Sequence, residues 1–249
     1  MLKNKMIAII STAAALALAL GCLAGCGTSQ PSSSSASNSN ASENANAANS
    51  NASSESDSSG PITEADPNSE YSSGTHHVKM TLEGYDPIEI ELDADAAPIT
   101  VQHFCELVGD GFYDGLTFYR FVDGFCAQGG SSNFSAASST DEQTIKGEFS
   151  YNGVDNPLAD SFKRGTVAMA RSSDKDSAST TFFVTMASGA NVSSSLNHQY
   201  AAFGTIDEDG MKIMDQVLSD YSEAIDDTSM GVISDKDKQA KITSIEIID

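Results

Sequence analysis

The chain has 249 residues, with 13 lysines and arginines against 35 aspartates and glutamates, for a formal net charge of −22 at pH 7. That balance excludes binding to a nucleic-acid backbone and electrostatic adsorption on an anionic membrane surface, while leaving open a preference for basic or unfolded cationic substrates. Of four cysteines, Cys22 lies in the N-terminal apolar segment and Cys26 just after it, which leaves Cys105 and Cys126, too few for a disulfide framework. The four histidines include one adjacent pair, His76-His77, whose side chains would point to opposite faces of a strand, and no metal and no cofactor are expected.

In chain order, Lys3 and Lys5 precede an apolar run over 6–20, which reads as a secretory signal and is too short for a comfortable membrane span. It closes in Leu23-Ala24-Gly25-Cys26, similar to a bacterial lipobox in which Cys26 becomes the acylated first residue. Cys22 is a poorer alternative, and a plain secretory signal with incidental cysteines is the other reading. Two acyl chains on one glycerol satisfy the need for more than one chain in stable anchoring. Loss of residues 1–25 removes two lysines and no acid, so the mature chain carries 11 − 35 = −24. Residues 26–74 are Ser, Asn and Ala with scattered acids, a composition that cannot offset ordering entropy and is expected to form a disordered tether. Such a linker spans roughly 35–40 Å on average.

Residues 75–249 carry the folded pattern. Alternation predicts strands over 78–82 and 88–92, then a helix over 99–108 with Pro98 in its first turn. Val101, Phe104, Cys105 and Val108 share one face of that helix, which makes Cys105 a core residue. The run over 118–130, Phe-Tyr-Arg-Phe-Val-Asp-Gly-Phe-Cys-Ala-Gln-Gly-Gly, reads as a hairpin around Asp123-Gly124. A guanidinium on a half-buried strand is costly without a partner or a task; an ordinary hairpin whose Arg120 snorkels or pairs with a carboxylate is the plain reading. A Ser/Gly-rich loop over 131–144 follows, then strands over 167–170, 182–185 and 201–206. A second helix over 210–218 carries Met211, Met214 and Leu218 on one face. The acidic stretch 226–237 lacks EF-hand spacing and reads as a solvated loop. A last strand spans 242–248. A Cys105–Cys126 bridge would need a short Cα separation. Short strands at this spacing suit a closed antiparallel barrel or a sandwich.

Four ordered blocks together resemble the cyclophilin family of peptidyl-prolyl cis-trans isomerases. They are the 118–130 hairpin, Gly165-Thr166-Val167-Ala168-Met169-Ala170-Arg171, Thr181-Phe182-Phe183-Val184, and Leu196-Asn197-His198-Gln199-Tyr200-Ala201-Ala202-Phe203-Gly204. The resemblance implies a mainly β fold, an eight-stranded antiparallel barrel capped by two α-helices. It implies Arg120, with Phe125 and Gln128, as the catalytic set. Cys126, Phe183 and Leu196 would line a proline pocket with Phe125, while Ala170, Arg171, Thr181 and Tyr200 would complete the substrate site. Several positions depart from the family's pattern: Thr181 replaces a glutamine beside the arginine, and Cys126 replaces a methionine. Asn197-His198 replaces an Asp-Gly turn, and Ser195 stands where some members carry a cyclosporin-binding tryptophan.

The leading expectation is therefore a lipid-anchored, extracytoplasmic isomerase on the cell membrane, a monomer acting on proline-containing peptides and on unfolded or nascent secreted proteins. The alternative from another class is a catalytically weak peptide-binding or chaperone-like module on the same fold, which Thr181 and Cys126 favour. A solute-binding subunit of a transporter fits the signal alone, but the strand-rich pattern disfavours it.

Overall fold

Strict alternation builds the first hairpin. β1 (Thr75–Leu82) turns Val78, Met80 and Leu82 inward, and β2 (Ile88–Asp93) buries Ile88, Ile90 and Leu92 while Glu89 and Glu91 face water. The structure, a computed structural model, describes residues 60–135 and 143–249. The expectations for the signal, for Cys26 and for most of the tether fall outside these residues. The elements that follow are α1 (Pro98–Gly109), β3 (Thr117–Val122), β4 (Cys126–Gly129), β5 (Thr166–Met169) and β6 (Phe182–Thr185). After them come α2 (Ala190–Leu196), β7 (Ala202–Ile206), α3 (Glu208–Tyr221) and β8 (Ala240–Ile247).

The strands close into one barrel in the order β1-β2-β7-β5-β6-β4-β3-β8, and all eight neighbouring pairs are antiparallel. Closure leaves no free sheet edge. β3 and β4 approach so closely that a Cβ on Gly129 would stand 2.7 Å from the Thr117 carbonyl oxygen, which accounts for glycine at that position.

Two apolar clusters share these strands. The larger fills the barrel and includes Phe104, Phe118, Phe182 and Phe203, closed at its ends by α1 and α3 through Val101, Val108, Met211, Met214 and Val217. The smaller lies on the other face of β4 to β7 and collects Cys126, Phe183 and Tyr200 with Val192 and Leu196 of α2. α2 is a third helix beyond the two expected. Its seven residues, Ala-Asn-Val-Ser-Ser-Ser-Leu, are too short and too polar to show a helical period.

Two other features differ from the sequence reading. The expected tether ran to residue 74, yet residues 60–74 lie on the domain: Ile62 exchanges backbone hydrogen bonds with Thr144 and Lys146, and Ile62, Ala65 and Tyr71 pack on the core. These few apolar side chains sit singly in a polar composition, which hid them. The acidic stretch 226–237 is not a solvated loop throughout. Ile233 is fully buried, its N–H donates to the Tyr119 carbonyl at 2.9 Å, and the Gly231 carbonyl accepts from Phe121 N–H at 2.8 Å. Only glycine fits at 231, where φ is 74° and a Cβ would run into the Phe121 carbonyl. Cys105 is a core residue, as its place on the helix face predicts; it and Cys126 are both free thiols, buried in different clusters, and burial pushes the Cys105 thiol up to about 12.

The start of α1 shows how distant residues complete a local element. Ala97 at its N-cap offers no side-chain acceptor. The buried carboxylate of Glu148 takes that role, accepting from the N–H groups of Ile99 (3.1 Å) and Thr100 (2.8 Å) and from the Thr100 hydroxyl (2.6 Å). A negative group at a helix N-terminus meets orphan donors and the positive end of the macrodipole. Burial nonetheless outweighs these donors and raises the Glu148 pKa.

Candidate active site

A β-bulge aims the guanidinium. Uninterrupted period two would put Phe118 and Arg120 on one face of β3. Its register with β4 shifts between these two positions. As a result Phe118 and Phe121 both enter the barrel cluster, while Arg120 faces a cleft on the outside. Re-aiming a side chain beside a site is a recurring use of bulges.

The cleft is lined by nine of the ten residues expected to form the catalytic and substrate site. Phe125 and Cys126 come from the β3–β4 turn and the start of β4, Gln128 from β4, and Phe183 from β6. Leu196 ends α2, Tyr200 precedes β7, and Ala170 and Arg171 follow β5. Phe183 is fixed by stacking on Phe162 (centroids 6.2 Å apart) and by an edge contact with Tyr200 (5.6 Å). The wall formed by Phe125, Cys126, Phe183 and Leu196 is apolar and shaped by rigid rings, which suits a small apolar ring as guest.

Arg120 is only 4 % exposed and three groups hold it. Its Nε donates to the Met230 carbonyl at 2.7 Å, and one terminal nitrogen donates to Gln128 Oε1 at 3.1 Å and to Cys126 Sγ at 3.2 Å. Burial raises the Cys126 pKa, so its thiol stays protonated. Thr181, the tenth expected residue, does not line the cleft. Its carbonyl accepts from Ala170 N–H at 2.8 Å, and its hydroxyl lies near the Tyr119 phenol. Tyr119 in turn accepts from Gln128 Nε2 at 2.7 Å. Burial drives the Tyr119 pKa upward and keeps the phenol neutral. The side-chain chain behind Arg120 therefore runs through Gln128 to Tyr119. Tyr119 and Met230 were missed from sequence. The first left a signal, a hydroxyl inside a buried aromatic run; the second acts through its backbone and left none.

Arg171 is the second cation of the cleft. Its guanidinium lies over the rings of Tyr200 (4.8 Å) and Phe149 (5.2 Å), and it donates to the carbonyls of Gln199 and Ser172, both at 2.9 Å. Just beyond it, His198 adopts φ 67°, the left-handed conformation that the glycine of an Asp-Gly turn would adopt freely. Its Nδ1 lies 2.5 Å from Asp160 Oδ1 and 2.9 Å from Ser150 Oγ, and its ring stacks on Tyr151. Both partners approach the same ring nitrogen, so the three do not form a proton relay of nucleophile, base and orienting acid.

Among the described residues, no nucleophile–base pair lines the cleft. The arrangement can seat an apolar ring and present a fixed cation beside it. Comparison with known proteins agrees with that reading. Residues 77–246 match the model of the family described as cyclophilin type peptidyl-prolyl cis-trans isomerase/CLD. The chain is 33% identical over 165 residues to peptidyl-prolyl cis-trans isomerase A of Dickeya dadantii, a match spanning 66% of this chain and 82% of that relative. The fold is similar to a cyclophilin type peptidyl-prolyl cis-trans isomerase of Cryptosporidium parvum, with a TM-score of 0.55 at 20% identity over 71% of this chain and 99% of that one. A second structure of that parasite protein, solved in the presence of the dipeptide Ala-Pro, matches with a TM-score of 0.54 at 22% identity over 70% and 99% of the two chains.

Proposed function

The chain belongs to the cyclophilin-type peptidyl-prolyl cis-trans isomerase family, and from that premise we propose that it turns over X-Pro bonds at the Arg120 cleft while tethered outside the cell membrane through Cys26. The observation that carries this reading is the Arg120 guanidinium, buried, held by three partners and facing a cleft with an apolar wall.

The chemistry follows from the bond. A peptide C–N bond has partial double-bond character and a rotation barrier of about 18–20 kcal/mol, and X-Pro bonds interconvert in tens to hundreds of seconds unaided. Rotation breaks no covalent bond, so neither nucleophile nor general base is required. In the twisted state the prolyl nitrogen lone pair is no longer delocalised into the carbonyl and can accept a hydrogen bond. The apolar wall holds the ring while the preceding carbonyl swings. A guanidinium already fixed by Met230, Gln128 and Cys126 favours the twisted state without reorganising, which is preorganised electrostatic stabilisation. The Ala-Pro dipeptide present with the parasite homologue supports a proline-containing peptide as the ligand of this cleft.

The cellular reading rests on sequence. The signal, the Leu23-Ala24-Gly25-Cys26 motif and the polar stretch after it support an isomerase domain held on a tether, where secreted and surface proteins fold. Two experiments test the proposal. The purified protein accelerates cis-to-trans isomerisation of an Ala-Pro peptide over the uncatalysed rate; a folded protein giving no acceleration would move the reading to a peptide-binding module. In cells, Cys26→Ser moves the protein from the membrane fraction to the soluble extracytoplasmic fraction; an unchanged distribution would refute the anchor.

A further inference from the structure

The chain holds only three arginines, among 35 acidic residues. Arg164 is neutralised by Asp215 (2.7 Å) and Glu208 (3.6 Å). The other two, Arg120 and Arg171, both line the cleft, and neither forms an ion pair among the described residues. No carboxylate among the described residues lines the cleft either. In so acidic a chain, two unneutralised guanidinium groups at one site form a local field opposite in sign to the surface around it.

In the proposed reaction Arg120 serves the prolyl amide, whereas Arg171 has capacity to spare. It spends Nε and one terminal N–H on neutral carbonyls, and a guanidinium carries five donors. Stacking on Tyr200 and Phe149 holds its plane, so little further side-chain entropy is lost when an anion docks. Charges beyond about 8 Å are screened at physiological ionic strength, so the near cation, rather than the distant acids, governs a docked peptide. Resting on the isomerase reading, we propose that Arg171 is a specificity-determining residue and that the preferred substrates carry an aspartate or glutamate flanking the proline. This is the opposite of the basic clients that the net charge alone would suggest.

The test is kcat/KM on peptides of one length that differ only next to the proline, with Glu, isosteric Gln or Lys placed before it or after it, at physiological salt. In the unmodified protein the Glu peptide exceeds its Gln counterpart by about fivefold at one of the two positions, mainly through KM, with Lys lowest. In Arg171→Gln the Glu/Gln ratio falls to about one. In Arg171→Lys, which keeps a charge and serves should the neutral variant fail to fold, it stays above one. Equal rates for Glu and Gln at both positions in the unmodified protein would overturn the proposal, as would a ratio untouched in Arg171→Gln or lost in Arg171→Lys. Turnover of the Gln peptide reports separately on the isomerase reading, so a selectivity failure is distinguishable from an activity failure.

Discussion

The two faces of the same strands do different work. Inside the barrel, β3, β4, β5 and β6 contribute to a closed apolar core in which Phe104, Phe118 and Phe182 pack ring against ring, with centroids 5.6–5.8 Å apart. Outside, β4 to β7 carry a smaller cluster that is open on one side and edged by two unneutralised cations, Arg120 of β3 and Arg171. The inner face gains its stability from area removed from water. The outer face gives up part of that gain to hold a buried guanidinium in place. One bulge in β3 divides the two roles, because it lets Phe118 and Phe121 both face inward while Arg120 faces out.

Mutations should therefore separate the faces. The largest effect is expected from Arg120→Ala, which lowers isomerase kcat/KM by about 10²–10³-fold, the scale of losing one preorganised donor set, with a melting temperature close to that of the parent. Phe104→Ala, on the inner face, costs about 3–5 kcal/mol of stability and leaves the turnover of the remaining folded protein largely intact, as chemical denaturation and assay below the transition would show. If Arg120→Ala melted as early as Phe104→Ala, the division of labour would fail.

Tyr119→Phe sharpens the boundary, since Tyr119 is fully buried but its hydroxyl serves the outer face. Removing that oxygen frees the Gln128 amide to turn its Nε2 toward Arg120, where two donors repel. One such hydrogen bond is worth about 1 kcal/mol, so roughly a fivefold fall in kcat/KM is expected, with a small change in melting. A large loss of stability with unchanged kinetics would make Tyr119 a core residue only.

Glu148 gives the smallest and most specific effect. Its folded pKa is raised by burial, so the folded protein binds a proton there that the unfolded chain has released, and ∂ΔG/∂pH is negative across that window. The contribution is full below the unfolded value, about 4.3, and declines as pH rises through the folded one. Glu148→Ala removes that decline and also the α1 cap, worth about 1 kcal/mol. Denaturation at a series of pH values checks both: the difference between parent and variant should shrink as pH rises, and a difference that grows would reverse the sign assigned to Glu148.

Much of the site was legible because its chemistry rests on side chains in short, ordered blocks. The Phe-Tyr-Arg hairpin, Met-Ala-Arg, Phe-Phe and Leu-Asn-His-Gln-Tyr segments supplied every residue lining the cleft. What stayed hidden acts through backbone or distance. The Met230 carbonyl has no side-chain signature, the bulge is a property of pairing rather than composition, and Glu148 caps a helix some fifty positions away. Thr181 was expected at the substrate site and does not line the cleft; Arg120 is held instead by Met230, Cys126 and Gln128, with Tyr119 behind Gln128. The strap over 60–74 was lost to averaging, three apolar side chains in a polar stretch. The barrel itself was expected from resemblance, since alternation alone leaves a sandwich equally open.

The most direct test of Arg120 as a stabiliser of the twisted bond is to measure kcat and KM separately for Arg120→Ala on one Ala-Pro peptide. We expect kcat to fall with KM little changed, because the contact strengthens only as the bond twists. A rise in KM at constant kcat would mean that Arg120 merely binds the peptide and that the barrier is lowered elsewhere.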